Sequence, residues 1–170
     1  MRNGHIKTIK VTNEEMAQSV REGIFRQADA KRKNSRPRGE GSEKSHIQGR
    51  LGEIAFCRYL GVEVPDCRYE EDKKRGCDVV GPDGTRYHVR SSSFRDAGLL
   101  IYPDDPRGGV YVLVVTTADG SCKVMGWYTR GEAESFHELG GMVKHPDVKC
   151  WTIPQADLYP FAASGYTKAA

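Results

Sequence analysis

The chain has 170 residues, enough for one domain that buries roughly 70% of its unfolded surface without disulfide or metal staples. Charged residues make up 29% and hydrophobic residues 38%, with a mean hydropathy of −0.62, which excludes a membrane-embedded protein and suits a soluble cytoplasmic one. The net charge of +3 is too mild to demand an anionic partner by itself.

Five cysteines, Cys57, Cys67, Cys77, Cys122 and Cys150, are an odd number without a CxxC pair. That argues against a zinc ribbon and a secreted disulfide framework, and for reduced thiols in a core. Met1 to Lys7 has no apolar core, so no signal peptide is expected. The longest apolar run, Val110 to Val115, is far too short for a bilayer.

In chain order, residues 6–11 read as a short strand. Thr12 and Glu15 then form a capping box, and Met16, Val20, Ile24 and Ala28 continue at helical spacing, which predicts a helix over about 12–34. Residues 35–41 are a basic loop broken by Pro37, Gly39 and Gly41. A second helix is predicted from Ser45, where Gln48 completes another capping pattern, to Leu60, with Gly61 as its stop. Ile47, Leu51, Ile54, Ala55 and Cys57 mark its apolar side; Glu53 lies at the edge of that side, either turned inward or an ordinary surface carboxylate.

Residues 62–75 look irregular. Strands are predicted at 77–80 and 85–92, joined by a turn at Gly81-Pro82-Asp83-Gly84. A short apolar piece follows at 99–102. Residues 110–117 are apolar and β-branched almost throughout, so this strand should be central and covered on both faces. Its partner is expected at 123–127, a helix at 129–139 with Glu132 in its first turn, and an edge segment at 150–153. A last helical turn should surround Ala156 to Tyr159, with a small, polar tail at about 163–170. The order implies a single α/β (α+β) domain with a mixed central sheet flanked by helices.

His88 and Arg90, two apart on a strand, share one face at about 6.6 Å, and an acid, Asp78, heads the preceding strand. An acid beside a second potential ligand and a cation is an arrangement that holds a divalent metal against a phosphate. Basic residues flank it. Seven lie between Lys31 and Arg50 against only Glu40 and Glu43, and Lys73, Lys74 and Arg75 form a second cluster. Arg36, Arg38, Lys44, Arg50, Lys73, Lys74, Arg75 and Arg95 are thus candidates for contacting a nucleic-acid backbone, and the hydroxyl of Ser91 is a further phosphate donor. Asp104 and Asp105, next to Pro103 and Pro106, look like a turn.

Gly49 to Gly61 with Glu53, followed by Gly76-Cys77-Asp78-Val79-Val80 and Tyr87-His88-Val89-Arg90-Ser91-Ser92, resembles the PD-(D/E)XK nuclease superfamily. This is the restriction-endonuclease-like fold, and the resemblance covers about residues 45–128. It implies a core of that fold and makes Glu53 the helix-borne acid and Asp78 the metal-ligating aspartate. His88 stands where the family has Asp or Glu, and Arg90 where it has Lys. On this resemblance, Glu53, Asp78, His88 and Arg90 are the catalytic residues, and Asp78, His88 and Glu53 the metal ligands. The cofactor would be Mg²⁺ or Mn²⁺; imidazole suits Mn²⁺ better than the harder Mg²⁺. Arg90 keeps electrostatic stabilisation but cannot shuttle a proton.

The expected function is therefore a metal-dependent DNA endonuclease, a phosphodiester hydrolase of a bacterium or phage acting in the cytoplasm. The partner is DNA, no membrane is involved, and a homodimer is an option because many enzymes of this fold cut two strands as dimers. The alternative keeps the fold and drops the chemistry: a catalytically inactive DNA-binding or regulatory protein. A protein-binding inhibitor or assembly factor is a third reading.

Overall fold

A computed structural model describes residues 6–32, 43–67, 76–142 and 145–161. Strand β1 (Lys7–Lys10) leads into helix α1 (Asn13–Arg32), which packs on helix α2 (Glu43–Leu60). Strands β2 (Val79–Val80), β3 (Arg86–Ser92), β4 (Leu99–Ile101), β5 (Val110–Thr116) and β6 (Ser121–Thr129) follow. Helix α3 (Arg130–Phe136), strands β7 (Gly140–Met142) and β8 (His145–Ile153), and a 3₁₀ turn at Gln155–Asp157 complete the chain.

Two sheets form. The larger has the order β1-β6-β5-β3-β2 and the smaller the order β4-β8-β7. In the larger, β3 runs parallel to β5, with Tyr87 opposite Val110 and Ser92 opposite Val115, while its other pairs are antiparallel. The mixed α/β sheet expected from the sequence is therefore present.

β5 is the hub. All seven of its residues are buried, as its continuous apolar run predicts. Val110, Val112 and Val114 face a core shared with Tyr87 and Val89 of β3 and with Leu51, Ala55 and Phe56 of α2. Tyr111, Leu113 and Val115 face a second core with Leu99, Ile101, Trp151 and Ile153 of the smaller sheet and Ala133 of α3. The layers are thus helices, main sheet and small sheet. All five cysteines are buried and unbridged, in line with reduced core thiols. Among the described residues no helix is long and apolar enough to cross a membrane.

Two close approaches set the helix layer. A Cβ at Gly23 would lie 2.6 Å from the backbone of Ile47, so glycine there lets α1 lie directly against α2. A Cβ at Gly52 would lie 1.9 Å from Oγ of Ser91, so α2 also rides close over β3.

Several boundaries differ from the sequence reading. The Thr12–Glu15 capping box is made, with Thr12 N–H donating to Oε2 of Glu15 at 2.6 Å and Glu15 N–H to Oγ1 of Thr12 at 3.2 Å. The second cap is not at Ser45, because α2 already includes Glu43, whose charge suits the helix start. β2 is only Val79–Val80, so Asp78 precedes the strand. β8 starts at His145, well before residue 150, and β7 was not anticipated. Both are held by pairing, Gly140 with Cys150 and Gly141 with Lys149, which local residue pattern does not announce.

Candidate functional site

α2 delivers Glu53 into the interior. Every residue from Arg50 to Cys57 is buried, so the helix has no open face at this level, and Glu53 must find partners inside. They come from α1 and from its own helix. Arg26 forks both carboxylate oxygens, Nη1 to Oε1 at 2.7 Å and Nη2 to Oε2 at 2.9 Å. One turn before Glu53, Arg50 donates Nη1 to Oε2 at 2.9 Å. Arg50 also bonds Glu22 of α1 through Nε, and the carbonyl of Pro65 through Nη2 at 2.7 Å. Burial alone pushes the Glu53 carboxyl upward, but the Arg26 charge and then Arg50 overcome it and hold the group below the usual carboxylate range.

Arg50, expected from the sequence to contact DNA, is 1% exposed, with its guanidinium turned into the protein. Its spacing of three from Glu53 turns it inward to neutralise that acid. Arg26 and Glu22 were not singled out in the sequence. Their signal was weak but present: spaced by four, they share a face of α1 that also carries Gly23.

Asp78 sits at the edge of the main sheet. Its N–H bonds the Tyr87 carbonyl at 3.0 Å, and its Oδ2 accepts the Val89 N–H at 2.7 Å. The carboxylate thereby continues the ladder where the backbone of β2 has not yet begun. Burial first, and then the charge of Glu53, push its carboxyl up to about 7, against the opposing pull of Arg90.

His88 and Arg90 do share a face of β3, as the strand period requires, but it is the face away from α2. The His88 ring stacks on Tyr111, with centroids 4.8 Å apart, and a Cβ at Gly109 would lie 2.6 Å from its Nε2. Burial, then the charge of Arg90, lower the imidazole to about 4, so the ring is neutral at physiological pH. Arg90 donates Nη2 to Oδ2 of Asp105 at 2.9 Å and lies over the rings of Tyr111 and Tyr102. Asp105, read from the sequence as a turn residue, is 4% exposed and also accepts the Tyr102 N–H at 2.8 Å.

The four expected catalytic residues are thus divided by the sheet. Asp78 at the edge feels Glu53 from the helix side and Arg90 from the opposite side. The Ser91 hydroxyl is buried close under Gly52 and has no hydrogen-bond partner among the described residues. Lys44 and Arg95 are exposed. Arg36, Arg38, Lys73, Lys74 and Arg75 lie outside the described residues.

The donor set does not fit a divalent metal as it stands. Both oxygens of Glu53 are taken by guanidiniums, and His88 lies flat on Tyr111 across the sheet. Among the described residues no three His, Cys, Asp or Glu side chains converge on a metal position.

No family model, curated protein or solved structure matches the chain.

The raised carboxyl of Asp78 has a measurable consequence. Between its ordinary value of 3.8 and about 7, the folded protein holds a proton on Asp78 that the unfolded chain has released. Stability contributed by that proton therefore falls as pH rises through this window. Asp78→Asn keeps an acceptor for Val89 and does not titrate. It is expected to exceed the wild type by on the order of 2 kcal/mol at pH 8 and to lose this advantage near pH 4. Denaturation curves at the two pH values check this; an equal difference at both would refute the burial argument.

Proposed function

We propose that this chain is a metal-independent DNA-binding protein on a nuclease-like frame, the catalytically inactive form of the site its sequence resembles. The closure of Glu53 by Arg26 and Arg50 carries this reading. A carboxylate whose oxygens already serve two guanidiniums has little remaining capacity to hold a metal ion. The change to Arg90 supports it, since that cation is committed to Asp105.

Charge distribution supports DNA as the partner. Lys31 and Arg32 end α1, Lys44 stands in the first turn of α2, and Lys33, Arg36 and Arg38 lie between them in the sequence. The described members of this group, Lys31, Arg32 and Lys44, are exposed. Because α1 and α2 pack together as consecutive helices, Lys31 and Lys44 stand exposed where α1 ends and α2 begins, a position suited to phosphates, while Arg32 beside them also bonds Asp29.

Fluorescence anisotropy with a labelled duplex and a labelled single strand tests the reading. Binding is expected to be the same in EDTA and in Mg²⁺, and its logarithm to fall linearly with the logarithm of salt concentration. Lys44→Glu is expected to weaken it and flatten the salt slope. Cleavage that needs a metal and Asp78 would overturn the proposal in favour of the endonuclease. No binding to either DNA would overturn it in favour of a protein partner.

A further inference from the structure

Helix α1 is turned inside out relative to its own apolar pattern. Of the four positions that predict it, Met16 packs against the core, whereas Val20 and Ile24 are 42% and 44% exposed and Ala28 is exposed as well. Ala17 is also exposed, and Phe25 is 45% exposed. Ala17, Val20, Ile24 and Ala28 fall on one face of the helix over about three turns, and Phe25 flanks them.

The opposite face is the polar one. Ser19, Gly23 and Asp29 are the buried residues of α1, and Glu22 and Arg26 reach α2 to bond Arg50 and Glu53. Ion pairs and the close approach at Gly23 therefore fix α1 on α2, and the apolar stripe is left in water. A helix within one globular unit normally turns such a stripe to the core. Single exposed apolar side chains are ordinary, but a continuous stripe marks a surface that another body covers.

The stripe is complementary to itself. Glu14 stands exposed in the first turn of α1 and Lys31 in the last. Consider α1 laid antiparallel on a second copy, with a two-fold axis crossing between Glu22 and Gly23. Ala17 then lies opposite Ala28, Val20 opposite Phe25, Ile24 opposite the long stem of Arg21, and Glu14 opposite Lys31. Small residues meet at both ends, large ones fill the middle, and each acidic helix start faces a basic helix end with the dipoles opposed. A parallel pair would instead set Glu14 against Glu14 and Lys31 against Lys31. The chain itself thus supplies both halves of the charge pattern.

We propose that α1 is a homodimerisation helix: two copies of the chain pair through the exposed Ala17–Ala28 face in an antiparallel, two-fold arrangement. The pairing needs no DNA and is independent of the reading above.

Sedimentation velocity of the full chain over a concentration series tests it. Wild type is expected to form a reversible dimer, and Ile24→Lys to raise its Kd at least ~10-fold, because the two-fold axis places the charge in the contact twice. Glu14→Lys and Lys31→Glu should each weaken the dimer, and both changes in one chain should restore it. A wild type that stays monomeric up to roughly 1 mM overturns the proposal in favour of a different partner on this face. A dimer that Ile24→Lys leaves intact, or whose charge reversal is not rescued, overturns it as well. Cysteine cross-linking decides the matter without relying on a disruptive variant, since the native cysteines are buried. Ala17→Cys mixed with Ala28→Cys should give a disulfide-linked dimer on oxidation, ahead of either variant alone. Cross-linking of Ala17→Cys to itself ahead of the mixture overturns the antiparallel pairing.

Discussion

Glu53→Ala is expected to lower the stability of the folded protein by about 3–5 kcal/mol, the range for breaking a buried ion pair by removing one partner. Glu53 is 4% exposed and Arg50 1% exposed, so neither water nor another anion can replace the lost carboxylate cheaply. Arg50 would keep Glu22 and the carbonyl of Pro65, but Arg26 would lose both of its bonds to Glu53 and face Arg50 across the space left behind. Glu53→Gln keeps the volume and one acceptor oxygen, so its loss should be smaller yet still exceed that of the exposed control Glu63→Ala, which should stay within ~0.5 kcal/mol. Urea denaturation, read as a change in midpoint at constant slope, gives the difference. A loss under ~1 kcal/mol for Glu53→Ala would show that the apolar packing of α2, and not the ion cluster, holds the helix pair together.

Asp105→Ala is expected to cost about 2–4 kcal/mol, somewhat less because Arg90 is 29% exposed and water can reach part of its guanidinium. The substitution removes the acceptor for Arg90 Nη2 and for the Tyr102 N–H together. Arg90 would stay beside Tyr102 and Tyr111, with its buried Nε already lacking a partner among the described residues. Asp105→Asn keeps an acceptor and should recover part of the loss. A second readout separates this local picture from general damage. Burial and Arg90 already lower His88 to about 4, while Asp105 pulls the other way. In Asp105→Asn the His88 imidazole should therefore titrate lower still, which proton NMR of the histidine ring can follow. An unchanged or raised value would remove Asp105 from the electrostatic surroundings of His88.

The two predictions bear on opposite faces of one strand, and this division shapes the functional reading. In the sequence, Glu53, Asp78, His88 and Arg90 look like one cluster. In the fold, α2 covers the face of β3 with Tyr87 and Val89, while His88 and Arg90 turn toward the small sheet. Asp78 alone sits between them at the edge. A period of two correctly places His88 with Arg90, but it does not say which face of the strand α2 will cover.

Features with a local cause are legible in the order of the residues. The capping box at Thr12, the central β5, the β2–β3 turn and the burial of the cysteines all follow from residue pattern and hydrophobicity. Such features depend on near neighbours or on removal from water, and both are written in the order of residue types. The remaining features depend on contacts between segments far apart in the chain. Arg26 meets Glu53 across 27 positions, and Arg90 meets Asp105 across 15. β7 and most of β8 exist because they pair with each other and with β4. In each case a buried charge or backbone group takes the partner that packing brings near, and that choice is made by the assembled layers, not by spacing along the chain.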